Sequence, residues 1–307
     1  MKYIINTFYI LFIIMCPVFS CRNAETKTVA WAPPNGKEFS DYWYQGKAEL
    51  TNYDLEQARY GEVHKGNAVL IYVTEDFLTS KQVKLEDYSK GKADAAPVLK
   101  LNFTKNFNTG IYPYTMMKSV FTPIDLKNFP YSLKITATVL EWCGQVFAQI
   151  NNRNDGFNVK VFSYFEKESD EEYALNKVFL EDEIWTRIRL APELLPVGEI
   201  NIISGTLASR LRHKKLAVET ALAAIQLAAD TVTYSVNYTN SGRTLAIQFS
   251  KDFPHEILSW AESYKDGFGE SSALLTTKAL RKKSVMLDYW NKHAVADSVY
   301  RKELGLN

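Results

Sequence analysis

Residues 141–153 read EWCGQVFAQINNR, and together with Leu140 they decide the fold class. From Leu140 to Ile150 the even positions are Leu, Trp, Gly, Val, Ala and Ile. From Glu141 to Asn151 the odd positions are Glu, Cys, Gln, Phe, Gln and Asn. Alternation with a period of two places successive side chains on opposite faces, so the stretch predicts a strand with one dry face. The other face carries an acid, a thiol and amides, and either meets solvent or lines a site. Glu141, Cys143 and Gln145 are expected to share that face, with Gly144 marking a bulge or a close approach.

Working outward, Asn151-Asn-Arg-Asn-Asp-Gly156 is a turn, because Asn, Asp and Gly tolerate positive φ, and Phe157–Glu166 returns from it. Val232–Tyr238 and Leu245–Phe249 alternate on either side of Asn240-Ser-Gly242 and form the clearest hairpin. Ala48–Tyr60 and Val63–Phe77 read as strands with a hairpin signal at Lys65-Gly66-Asn67. Further strands are expected over Val98–Phe103, Ile111–Phe121, Val178–Leu190, Glu199–Lys215 and Leu274–Tyr289. Leu216–Ala229 is Ala-rich, which favours helix, but its flanks favour a continuing strand, and strand is the expectation. Pro192–Leu195 reads as one helical turn, and Ala296–Leu304 as a short helix closed by Gly305. The fold expected is mainly β: an antiparallel meander forming a curved sheet or half-barrel, with few short helices.

Composition agrees. The 307 residues include 18 Tyr, 17 Phe and 6 Trp, and flat or branched side chains suit a pleated, half-buried surface. Lys plus Arg total 36 against 35 Asp plus Glu, so there is no basic field for nucleic acid, and no nucleic-acid partner is expected. No P-loop, dinucleotide fingerprint or nucleophile elbow occurs, the four His show no metal spacing, and no cofactor is expected.

The N-terminus reads as a targeting segment. Lys2 precedes an apolar run from Tyr3 to Met15, too short to serve comfortably as a spanning helix. Val18-Phe19-Ser20-Cys21 then resembles the lipobox of bacterial lipoproteins. That resemblance implies removal of residues 1–20, acylation of Cys21 and anchoring in a lipid bilayer through the acyl chains. Arg22 stands where inner-membrane retention uses Asp, which implies the outer membrane, facing periplasm or exterior. An ordinary secretory signal cleaved near Ser20 is the alternative. Residues 21–38, with Pro33-Pro34 and Asn35-Gly36, read as a lipidated tether. Residues 39–307 read as a β-rich body, with a subdomain break expected near 191–198. With Cys16 removed and Cys21 modified, Cys143 is left without an internal disulfide partner.

Several constellations carry potential chemistry. Cys143 with His64, His213, His255 or His293 as base and Glu141 as orienter would make a thiol hydrolase. A carboxylate beside the thiol raises its pKa, however, and a small residue on a strand explains Cys143 equally. Arg59-Tyr-Gly-Glu-Val-His64 concentrates charge in one hairpin arm that would either meet the polar face of Glu141 and Gln145 or stay solvated. Arg210, Arg212, His213, Lys214 and Lys215 form a basic patch suited to envelope phosphate groups or to a charged edge strand. Tyr112, Tyr114, Met116 and Met117 would pack in the core or line an apolar pocket. The candidate pocket is therefore Glu141, Cys143, Gln145, His64, Tyr112 and Tyr114.

The segments YWYQGKAEL, LEQARYGEVHKGNAVLIYVTEDF, KNFNTGIYPY and EWCGQVFAQINNR resemble a family of Bacteroidota lipoproteins to which the name septum formation inhibitor Maf is often attached. The resemblance spans essentially the whole mature chain and implies an envelope lipoprotein. It brings no reaction with it. Maf nucleotide pyrophosphatases are cytosolic α/β proteins with a Ser-x-Ser-x-Arg-Arg loop, and this chain has no Arg-Arg dipeptide. Ala229-Asp230-Thr231-Val232 matches a second Maf motif by letters only. The leading expectation is thus a non-enzymatic envelope lipoprotein that binds a hydrophobic ligand or a partner protein. The alternatives are a Cys143 hydrolase and a Maf-type pyrophosphatase.

Overall fold

The computed structural model describes residues 36–267, 269 and 272–306. The expected signal segment, Cys21 and most of the expected tether lie outside the described residues. The end of that tether is helical: α1 (Gly36–Trp43) begins three residues before the expected body.

Then follow β1 (Ala48–Arg59), β2 (Glu62–Leu78), β3 (Val83–Lys84), α2 (Tyr88–Gly91), β4 (Ala95–Thr109), β5 (Tyr112–Pro123), β6 (Lys134–Glu141), β7 (Gly144–Arg153), β8 (Gly156–Ser163) and β9 (Glu171–Leu175). The second half holds β10 (Phe179–Leu180), α3 (Ile184–Leu190), β11 (Gly198–Ile203), α4 (Thr206–Leu211), β12 (Val218–Ala228), β13 (Thr231–Tyr238), β14 (Thr244–Ser250), β15 (Ile257–Asp266), β16 (Ala273–Leu287) and α5 (Val299–Glu303).

All strands join one sheet, in the order β10-β11-β12-β13-β14-β15-β16-β1-β2-β4-β5-β6-β7-β8-β9, with β3 on β2. Pairing is antiparallel except between β10 and β11. The chain is mainly β, as its alternation predicts, and the strands on both sides of residues 191–198 belong to the same sheet.

The sheet curls strongly. Phe103 on β4 and Trp260 on β15 are four strand spacings apart, about 19 Å if the sheet were flat. Their ring centroids lie 5.3 Å apart. The sheet does not close: its two edges, β9 and β10, are consecutive in sequence and unpaired with each other, leaving a seam.

Helix α3 fills the concavity. Trp185 meets Phe103 and Trp260 edge-on, at centroid distances of 5.0 and 5.2 Å. Arg189 forms a bidentate pair with Glu49 of β1, both contacts 2.6 Å, and its Nε donates to the Pro254 carbonyl at 2.7 Å. Burial alone would raise the Glu49 pKa, but the Arg189 guanidinium holds it below the usual carboxylate range. Beside Trp185 lies a second set of buried charges. Lys118 reaches Asp182 at 2.7 Å, and Arg243 donates to Glu181 and, through Nε, to Glu262 at 2.6 Å. The free space among them is about 20 Å³, room for one water. The concave face therefore offers no hydrophobic ligand cavity at this level.

Four expectations need correction. Val178–Leu190 is not a strand pair, because Ile184–Leu190 is helix α3, preceded by Glu181-Asp182-Glu183 in a 3-10 turn. Acids at that end suit the helix dipole as well as their buried cations. Glu199–Lys215 is β11 followed by helix α4; Asp182 accepts the Thr206 backbone N–H at 2.8 Å, and Glu181 sits so close to Gly205 that a Cβ there would lie 2.2 Å from its carboxylate. Lys65-Gly66-Asn67 is inside β2, and the hairpin turns at Tyr60-Gly61. Gly66 serves packing: an added Cβ would stand 2.2 Å from the Asn106 carbonyl oxygen of β4.

The fourth correction concerns residues 140–151. They are not one strand. β6 ends at Glu141, Trp142-Cys143 form a two-residue turn, and β7 begins at Gly144, with Glu141 paired to Gly144 and Leu140 to Gln145. Such a turn inverts parity. The inward positions are Ile135, Ala137 and Val139 before it, and Val146 and Ile150 after it. Trp142, expected on the dry face, is 69% exposed.

Candidate functional site

The parity change separates the expected pocket. Glu141 shares the inward parity of Val139, whereas Gln145 faces outward beside Leu140. Gln145 lines a shallow outer surface with Phe147, Phe162 and Tyr164, which Glu141 also borders. Cys143 is exposed at the turn, and its backbone N–H donates to the Glu141 carboxylate at 3.0 Å. That same carboxylate raises the thiol pKa, first by hydrogen bonding and then by its charge.

The remaining candidates converge on the interior rim. His64 stacks over Phe107, at a centroid distance of 6.3 Å, and its Nε2–H donates to the Arg59 carbonyl at 3.0 Å. Tyr114 stacks on the other side of Phe107 at 4.9 Å, and Tyr112 lies 5.9 Å from Tyr114. Arg59 donates to the Tyr114 hydroxyl at 3.1 Å and to the Tyr60 hydroxyl at 3.2 Å. It also caps α4 through the Leu211 carbonyl. Arg59 is thus the link from the first hairpin to the second half of the sheet.

Across from Arg59 sits His213, in left-handed backbone conformation (φ 50°), immediately after α4. Its Nδ1 lies 2.7 Å from Glu168 and its Nε2 lies 3.4 Å from Arg59. An imidazole protonated on Nδ1 donates to Glu168 and accepts from Arg59 at Nε2, and Arg210 Nη1, 2.9 Å from that same Nδ1, then donates to Glu168 instead. Burial lowers the His213 pKa, aided by the charges of Arg210 and Arg59 and opposed by Glu168. Arg210 stacks over Phe165 at 4.5 Å and approaches Glu168 at 3.3 Å.

His213 borders two clefts. One, about 180 Å³, lies at the seam between α4 and β7–β9. Val146, Ala148, Val161 and Leu216 give it an apolar back wall. Lys167, Arg210, Lys214 and Lys215 outnumber Glu168 and Glu171 at its mouth. Tyr173 on edge strand β9 donates to the Leu216 carbonyl at 3.1 Å, and Lys215 lies 4.0 Å over its ring. The second cleft, about 220 Å³, contains Arg59, Arg212, Ser241, Lys265 and Asp266.

Donors without acceptors gather here. Among the described residues, the Nε–H groups of Arg59, Arg210 and Arg212 and the hydroxyls of Thr206 and Ser241 are buried with no hydrogen-bond partner. Buried polar groups are ordinarily paired, so an unpaired set concentrated beside two clefts points to an acceptor-rich ligand or to water. Sequence reasoning flags Arg59, Arg210, Arg212 and His213, but not Thr206, Ser241, Lys167 or Glu168. Their only signal is topological, since 42 residues separate Glu168 from Arg210. No group of His, Cys, Asp and Glu suited to a metal ion occurs among the described residues. No family model, curated protein or solved structure matches the chain.

Proposed function

We propose that this chain is an envelope lipoprotein, anchored through Cys21, whose curled β body binds a small anionic ligand at the seam. The role is binding, and no reaction is assigned. The observation that carries the reading is the pair of buried donors without partners in the seam cleft, Arg210 Nε and the Thr206 hydroxyl, set against the apolar wall of Val146, Ala148, Val161 and Leu216. Such a pocket suits a carboxylate or phosphate with a short apolar body, because fixed donors orient the head while the wall removes the tail from water. The resemblance to Bacteroidota lipoproteins and the lipobox-like Val18–Cys21 support the anchoring.

The two alternatives find less support. A hydrolase needs a thiolate, whereas Cys143 is held toward the thiol by Glu141 and has no imidazole in hydrogen-bond contact among the described residues. A Maf-type pyrophosphatase is α/β, whereas this chain is mainly β, and Ala229-Asp230 is merely the turn between β12 and β13.

Calorimetric titration of the body (residues 22–307) with hexanoate and hexyl phosphate tests the ligand class. Saturable binding that weakens about tenfold in Lys214→Glu is expected. Absence of heat and of thermal stabilisation with both compounds refutes the assignment. Cys21→Ser tests the anchor separately, by moving the protein from the membrane fraction to the soluble one.

A further inference from the structure

A further sizeable space lies away from the seam. It is a groove of about 820 Å³ on the convex face of β1, β2 and β16, roofed by the chain after β16. This volume falls within the range of small-molecule sites. Its roof is held deliberately. Helix α5 ends at Glu303 and is closed by Gly305 (φ 73°), with Gly305 N–H bonded to the Lys302 carbonyl at 2.9 Å and Leu306 N–H to the Arg301 carbonyl at 2.8 Å. This double bond pattern is the Schellman closure, which turns the chain back on itself. Asn52 of β1 then pins that turn, its Nδ2 donating to the carbonyls of Leu304 at 3.1 Å and Gly305 at 3.2 Å.

Asn52 is 1% exposed, and its Oδ1 accepts nothing. A buried amide oxygen lining a roomy groove lacks one donor. Leu50 and Val69 are already buried in one cluster with Leu304, and the half-buried Ile71, Val285 and Leu287 packed against that cluster supply the apolar surface of the groove. The cations of the lining are already engaged: Lys282 with Asp54 at 2.9 Å, Lys292 with Asp288 at 3.5 Å, and Arg301 with a neighbour. A ligand anion would find no free counter-charge.

We propose that this groove is a second binding site, for a neutral amphipath: a single hydrocarbon chain with a hydroxyl or amide donor at its head. The chain lies against Ile71, Val285 and Leu287, and the head donates to Asn52 Oδ1. The site is separate from the seam and stands whether or not the seam binds an anion.

The test uses the body with N-phenyl-1-naphthylamine, a neutral fluorophore that brightens in apolar surroundings. Saturable uptake is expected, displaced by 1-monooleoylglycerol at least tenfold more effectively than by oleate. Thr104→Trp and Val285→Trp, both lining the groove, fill it from two sides and are expected to reduce uptake at least tenfold with an unchanged circular dichroism spectrum. Three results overturn the proposal: no saturable uptake by the wild type, undiminished uptake in the folded tryptophan variants, or displacement by oleate that equals or exceeds that by the glyceride.

Discussion

Two residues show how a short carboxylate contact sets chemistry. At Cys143 the neighbour is Glu141, which raises the thiol pKa. Removing the charge while keeping the shape should therefore speed the thiol. Glu141→Gln is expected to increase the rate of alkylation by iodoacetamide at pH 8 severalfold, whereas a rate equal to wild type would mean that the contact has no electrostatic effect. At His213 the carboxylate acts in the same direction but is outweighed. Glu168 raises the imidazole pKa against burial and two arginines, and the net result is still a lowered value. Glu168→Gln should lower it further, seen as a shift of the imidazole Hε1 titration to lower pH in NMR. Because the folded pKa lies below the unfolded one, the neutral imidazole contributes stability above the unfolded value near 6.5, and that contribution is lost as pH falls from there through the lower folded value.

At the scale of elements, legibility followed from whether an element has two unlike faces. Val232–Tyr238 and Thr244–Ser250 each bury one side, and their alternation is visible without a structure. Leu216–Ala229, ambiguous by propensity, was settled correctly by its flanks as β12. Helices α3 and α4 have no exposed face at all: every residue of Ile184–Leu190 and Thr206–Leu211 is buried, the arginines included. A fully buried segment of six or seven residues gives periodicity no phase to detect. The turn at Trp142-Cys143 failed for another reason, since it lacks the Asn-Gly or Asp-Gly chemistry that announces a two-residue hairpin. Missing it assigned Glu141 and Gln145 to the same face. The seam site is legible only in fragments, because Arg59 comes from β1, Glu168 from the β8–β9 connection and His213 from the segment after α4, and the curl alone unites them. Gly66 offers a test of that curl. Its missing Cβ lets β4 approach, so Gly66→Ala should cost about 1–3 kcal/mol through overpacking. A fall in Tm on the order of 5 °C is the expected reading; an unchanged Tm would mean that β2 and β4 can separate freely.

For the whole molecule, the unusual feature is a curled sheet whose centre holds charge as well as apolar side chains. Lys105, Lys118 and Arg243 face Glu181, Asp182 and Glu262 around one water-sized space. Five of these six are bound in direct ion pairs. Lys105 instead donates to the Gln57 side chain at 3.2 Å, and burial depresses its pKa to about 8. Glu181, despite burial, is held at about 2 by Arg243 and the Tyr238 hydroxyl. The two shifts act at opposite ends of the pH scale. For Glu181 the folded pKa lies below the unfolded value near 4.3, so its stabilisation is present above pH 4.3 and lost as pH falls toward 2. For Lys105 the unfolded chain, with a pKa near 10.4, binds more protons than the folded one between pH 8 and 10. Stability must then rise with pH across that window, by an amount on the order of 3 kcal/mol at most. Urea midpoints measured at pH 7.5 and 9.5 should increase for the wild type, before tyrosine ionisation in the unfolded chain reverses the trend. Lys105→Met removes the titrating group while keeping most of its volume, and should raise the midpoint at pH 7.5 and flatten its pH dependence. If the variant keeps the wild-type slope, the alkaline rise belongs to another group and Lys105 is charged and adequately solvated in the folded protein.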